Sequence, residues 1–136
     1  MAVEQVLWSL RSINGVSFGI SREEMLALLG EPSHFVQNPD GEVEFHYGGT
    51  IYRCFLNEFV ECSFADQGVV SVDGIPVLSI FEWLAERNDV VDKARFRISL
   101  AHGIAYDYRF PEHGSITVFG RGRWDSLVSS DGADGI

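Results

Sequence analysis

Hydrophobic and polar positions change period several times along this chain, and each change marks a different kind of element. From Ser21 to Pro32 the period is helical, with Met25, Leu26, Leu28 and Leu29 spaced to line one face. Ser21 and Glu24 have the spacing of a reciprocal capping box, and Glu23 and Glu24 suit the positive end of the helix dipole. Gly30 and Pro32 then stop the helix, so a short one is expected over 21–29. From Glu42 to Tyr47 the period is two: Val43, Phe45 and Tyr47 fall on one face and Glu42, Glu44 and His46 on the other, as in a half-exposed strand. Gly48-Gly49 turns the chain into a strand at 51–56, and a turn near Glu58 leads to another at 60–64. Centred on Glu58, that hairpin sets Cys54 opposite Cys62, with Tyr52, Cys54 and Leu56 on the same face as Val60, Cys62 and Phe64.

Elsewhere the pattern is weaker. Val3, Val6, Leu7 and Leu10 suit a helix or a strand, Asn14-Gly15 signals a turn, and 16–19 is short and extended. Residues 34–41, with Pro39, Asp40 and Gly41, have the composition of a loop. After an extended 69–72 and an Asp73-Gly74 turn, a second helix is expected from Pro76 to about Asn88, with Val77, Ile80, Phe81 and Leu84 inward and Trp83 beside them. Three strands follow at 96–100, 104–110 and 115–119; in the second, Ile104, Tyr106, Tyr108 and Phe110 alternate with Ala105, Asp107 and Arg109. Residues 129–136 have little to bury and are expected to be disordered.

Ile20 and Ile75, Gly48 and Gly103, Phe55 and Phe110, and Phe64 and Phe119 lie 55 positions apart, as if the chain were written twice. The expected architecture is α+β: two tandem repeats, about 13–66 and 69–120, each a helix plus antiparallel strands. Neither half can bury its helix and sheet face alone, so the two should form one mainly antiparallel sheet of six or more strands with both helices on one face. With 136 residues, 46% of them hydrophobic, the chain suffices for a single domain over 1–128.

Charge changes the picture. The net value is −10, which disfavours nucleic acid and anionic membranes as partners and favours a basic protein. From Glu23 to Asp73 there are ten acids and one base, Arg53, whereas from Lys93 to Arg123 six bases face Asp107 and Glu112. That asymmetry reads as solvated surface charge or as an acidic recognition face on the first half. The start of the chain lacks the basic segment of a signal peptide, and no apolar run is long enough for a membrane span, so the expected compartment is the cytoplasm.

Candidate chemistry is sparse. His34, His46, His102 and His113 have no metal-like pairing, and Cys54 and Cys62 suit buried hydrophobic roles better than a disulfide or redox pair. A Cys54–His46 nucleophilic pair lacks an evident orienting carboxylate. No glycine-rich phosphate loop is present, and Arg121-Gly122-Arg123-Trp124 reads as a solvated strand end with Trp124 packed beneath it. No catalytic residue, metal ligand or cofactor is therefore expected.

Val16-Ser17-Phe18-Gly19-Ile20-Ser21-Arg22-Glu23-Glu24, followed by Leu29-Gly30-Glu31-Pro32, resembles the "FGMS-x-EEV…LG-x-P" opening of small bacterial proteins with BamE-like or beta-lactamase-inhibitor-like helix-plus-sheet repeats. The chain has no lipobox cysteine near its start, which separates it from the outer-membrane lipoproteins among them. The resemblance is looser over 13–127. Immunity proteins of contact-dependent growth inhibition and other polymorphic toxin systems are similar in size and acidity, and kinship with them implies a binding protein that blocks a cognate toxin; the chain's acidity points to a basic toxin, with a nuclease as one option for its activity. The expected binding face carries Glu42, Glu44 and His46 on one strand and Arg53, Phe55 and Glu61 on its neighbours, with Glu58 at the turn. Phe55 would anchor while Glu42, Glu44, Glu58 and Glu61 pair with lysine or arginine of the partner. A small cytoplasmic enzyme or a structural interaction module is the alternative.

Overall fold

The computed structural model describes residues 3–109 and 114–128. The chain is α+β and mostly antiparallel, but its strands form two sheets where one was expected. The ambiguous start is a strand, β1 (Val3–Trp8), which pairs with β2 (Ser12–Ile13). Asn14 and Gly15, both at positive φ, turn β2 into β3 (Val16–Ser17). β1 also runs parallel to β8 (Val69–Val72), which turns at Asp73-Gly74 into β9 (Ile75–Val77). The first sheet thus has the order β3-β2-β1-β8-β9.

The second sheet joins two four-stranded meanders. One comprises β4 (His34–Gln37), β5 (Glu42–Tyr47), β6 (Thr50–Phe55) and β7 (Glu58–Ala65). The other comprises β10 (Val91–Lys93), β11 (Phe96–Ser99), β12 (Ile104–Asp107) and β13 (Ser115–Phe119). They meet where β13 pairs antiparallel with β7, giving the order β10-β11-β12-β13-β7-β6-β5-β4.

Between β3 and β4 lies α1 (Arg22–Leu29), with the Ser21–Glu24 capping box closed in both directions. Its inward face is narrower than expected, since Met25 alone is fully buried and Leu28 is 63% exposed. The second helix, α2, is Ile80–Ala85 and not 76–88. Pro76 pairs with Ser71 inside β9, and Ser79 caps the helix by accepting from the Glu82 amide. Ile80 and Leu84 point inward as expected. Two further strands stand where none is expected: β4 in the expected loop 34–41, and β10 between the expected second helix and the strand at 96–100. A last helical turn spans 125–128.

Both sheets and both helices feed one core. Leu7, Ile13 and Val72 from the first sheet, Met25 and Leu84 from the helices, and Phe45, Tyr52, Phe59, Cys62, Phe64, Ile104 and Val118 from the second sheet form a single buried cluster. These residues define the inner face of the second sheet. Its outer face carries a smaller cluster of Ile98, Ala105 and Phe119, covered by Phe96, Trp124 and Val128. The 55-residue spacing therefore does not hold in the strands, because Phe64 faces inward and Phe119 outward. An odd offset in a period-two element exchanges faces. The expectations for Phe110, His113 and residues 129–136 fall outside the described residues.

Candidate functional site

The expected recognition residues lie on the outer face of β5, β6 and β7, and a register finding fixes how they meet. The β6–β7 turn is Leu56-Asn57, both at positive φ, and not Glu58. Phe55 consequently sits opposite Glu58 and Arg53 opposite Glu61, with a bulge between these pairs. Cys54 therefore faces Phe59, not Cys62, and Leu56 is exposed at the turn tip.

On this face Arg53 is the centre of a charged ladder. Its Nε donates to Glu44 Oε2 at 3.3 Å and lies 3.8 Å from Glu42 Oε1. Its Nη1 donates to Glu61 Oε2 at 3.1 Å and to Ser63 Oγ at 2.6 Å, and Ser63 is in turn 2.7 Å from Thr117 Oγ1. A second arginine arrives from the turn after β13: Arg123 bonds Glu42 through Nη2 and donates from Nε to Glu61 Oε1 at 3.1 Å. The Trp124 indole N–H donates to the same Glu61 oxygen at 3.0 Å, while its ring stacks on Phe119 and meets Phe96 edge-on. Trp124 packs as expected, but Arg123 is held by two carboxylates and is not a solvated strand end.

These contacts dominate the site's electrostatics. Partial burial pushes the Glu44 carboxyl up, yet Arg53, His46 and Asn38 outweigh it and hold Glu44 below the ordinary carboxylate value. Burial similarly disfavours the Arg123 cation, but Glu61 and Glu42 reverse the effect and raise its pKa. Phe55 is half-buried, with the Arg123 guanidinium 5.7 Å from its ring centre. His46 Nε2 lies 3.2 Å from Glu44, and the ring stacks on His34 at 4.3 Å between centres. The structure thus brings together six of the seven expected residues, and uses Glu42, Glu44 and Glu61 in internal pairs. Glu58, opposite Phe55 at the turn end, is exposed and makes no ion pair among the described residues. Arg123 was missed as a member because the 62 residues separating it from Glu61 hide the pairing from any local pattern.

No family model, curated protein or solved structure matches this chain. Chemistry must therefore be read from geometry.

Cys54 and His46 occupy opposite faces of the sheet, so they form no pair. Cys54 lies against Met25 with sulfur atoms 3.7 Å apart, and burial pushes its thiol up to about 11; burial also raises Cys62. Both thiols are free. Sequence reasoning missed a cluster of Asp89, Ser99 and His102. Ser99 Oγ donates to Asp89 and lies 3.0 Å from His102 Nδ1. In a hydrolytic relay the imidazole stands between hydroxyl and carboxylate, whereas here the hydroxyl stands between the other two. Ser99 is fully buried, and Asp89 also accepts the Ala101 amide, so the cluster braces the β11–β12 turn. Among the described residues no group of three or more His, Cys, Asp or Glu is arranged to hold a metal, and no helix is long and apolar enough to cross a membrane.

Proposed function

We propose that this chain is an immunity protein that binds and neutralises a cognate, basic bacterial toxin domain in the cytoplasm, as in contact-dependent growth inhibition. The observation that carries the reading is the distribution of unneutralised acid. Among the described residues, exposed Glu23, Glu31, Asp40 and Glu58 make no ion pair, in a stretch from Glu23 to Asp73 whose one base, Arg53, is already engaged. Such a surface accelerates encounter with a basic protein and repels nucleic acid. In this reading Glu42, Glu44, His46, Arg53, Phe55 and Glu61 form a rigid platform, and Glu58 and its exposed neighbours meet the partner's cations.

The test follows from that division. Glu31→Lys, Asp40→Lys and Glu58→Lys, combined, should leave the fold intact while slowing association with the basic C-terminal domain encoded by the adjacent upstream gene. Protection of cells expressing that domain should fall with it. Unchanged association rate and protection would sink the proposal.

A groove of about 390 Å³ on the same outer face, lined by Arg53, Ser63, Thr117, Arg95 and Asp107, favours a second reading as a small-ligand protein or enzyme. A thermal shift on adding a small polar metabolite, abolished by Thr117→Val, would favour it.

We also propose that the halves are a tandem repeat whose spacing in the central strands is 54, not 55. This spacing aligns Tyr52 with Tyr106, Cys62 with Ile116 and Phe64 with Val118, all on the inner face.

A further inference from the structure

We infer that the outer edge of β4 is a docking site for an extended, basic segment of a partner protein, which adds to the second sheet as a ninth strand. The observation is a contrast between edges. β10, at the other end of this sheet, carries Asp92 and Lys93; in the first sheet β9 carries Pro76 and β3 is two residues long. Charge, proline and shortness are the usual devices that keep an edge from pairing with foreign strands. β4 has none of them. Its sequence is His-Phe-Val-Gln, all four residues are exposed, and Phe35 and Val36 are 56% and 39% accessible.

The backbone is presented correctly for such pairing. Asn38 N donates to Glu42 O at 2.8 Å, and the β4–β5 register continues this alternation through Val36 with Glu44 and His34 with His46. The peptide groups of Phe35 and Gln37 therefore point away from β5. Among the described residues no strand pairs with them.

Charge selects the occupant. Residues 23–52 contain six acids and no lysine or arginine, and exposed Glu31 and Asp40 flank the two ends of β4. A second copy of the chain would bring the same charges to the same edge and be repelled. An extended segment alternating apolar residues with lysine or arginine would lay the former beside Phe35 and aim the latter at the flanking acids, a form of β-strand addition. This inference rests on the proposed basic partner and specifies how it is gripped.

The test uses the full chain and a fluorescently labelled peptide of alternating valine and lysine, followed by anisotropy at low and moderate salt. Binding should weaken at least about tenfold, equivalent to about 1.4 kcal/mol, for a valine–glutamate peptide and for a valine–lysine peptide N-methylated at alternate amides. Phe35→Lys and Gln37→Pro, the latter removing an outward N–H, should weaken it similarly. Equal binding of the N-methylated peptide would overturn the inference, because attraction without strand pairing would explain it. So would sedimentation showing a dimer that Phe35→Lys dissolves, which would make a second copy the occupant. The immunity reading fails separately, when the unaltered chain neither binds nor protects against the neighbouring toxin domain. The docking mode fails when a folded Phe35→Lys chain binds and protects like the parent.

Discussion

Arg53 shows how one side chain can hold a polar sheet face together. Its side chain is 17% exposed and those of Glu44 and Glu61 are 22% and 10% exposed, so removing it strands carboxylates that water reaches poorly. Arg53→Met is expected to cost about 3 kcal/mol in urea unfolding at neutral pH, because breaking one partner of a shielded pair leaves its charge uncompensated. The sign with pH follows from Glu44. Its pKa is lowered in the folded chain from an ordinary 4.5, so its contribution is complete above that value and is lost as pH falls through the folded one. Acid titration of stability should therefore be steeper for the parent than for Arg53→Met. Backbone conformation at single residues is as testable. Gly103 has φ +68, and a Cβ there would collide with the Phe119 carbonyl oxygen, whereas Gly48, at φ +63, has open space around it. Gly103→Ala should lower stability by roughly 2 kcal/mol or more, and Gly48→Ala by about 1 kcal/mol, in parallel denaturation curves.

Elements were legible in the sequence where a local signal agreed with the tertiary environment. The α1 capping box and the strict alternation of β5 were both readable, since caps and period-two patterns act within a few residues. Pro76 misled because proline suits a first helical turn and also the edge strand it occupies. β4 was hidden by its neighbours Pro39, Asp40 and Gly41, which form the following turn. The outer-face site was readable on β5, where alternation sorts the side chains, but its closure by Arg123 depends on β13 pairing with β7, which no local pattern announces. The β6–β7 turn was misplaced for another reason: Leu56, at φ 51, is a poor residue for a left-handed conformation and gives no turn signal. Leu56 is also 77% exposed. Leu56→Asn should therefore stabilise the hairpin by roughly 0.5–1 kcal/mol, visible as a higher thermal midpoint.

At the scale of the molecule, the two sheets are tied through a shared core and through β1. Leu7, fully buried on that strand, makes Leu7→Ala an expected loss of about 3 kcal/mol by chemical denaturation, and the loss should extend to hydrogen exchange in both sheets. The parallel pairing of β1 with β8 also has a consequence for how the chain comes off the ribosome. β1 is made early, yet Leu7 finds its register partner Val72 only after 65 further residues have been added. Until then the first strand has only the short β2 beside it. A nascent chain must carry an apolar ribbon unsheathed while the whole first meander emerges, so the interval before β8 is when chaperones or proteases have their best access to it.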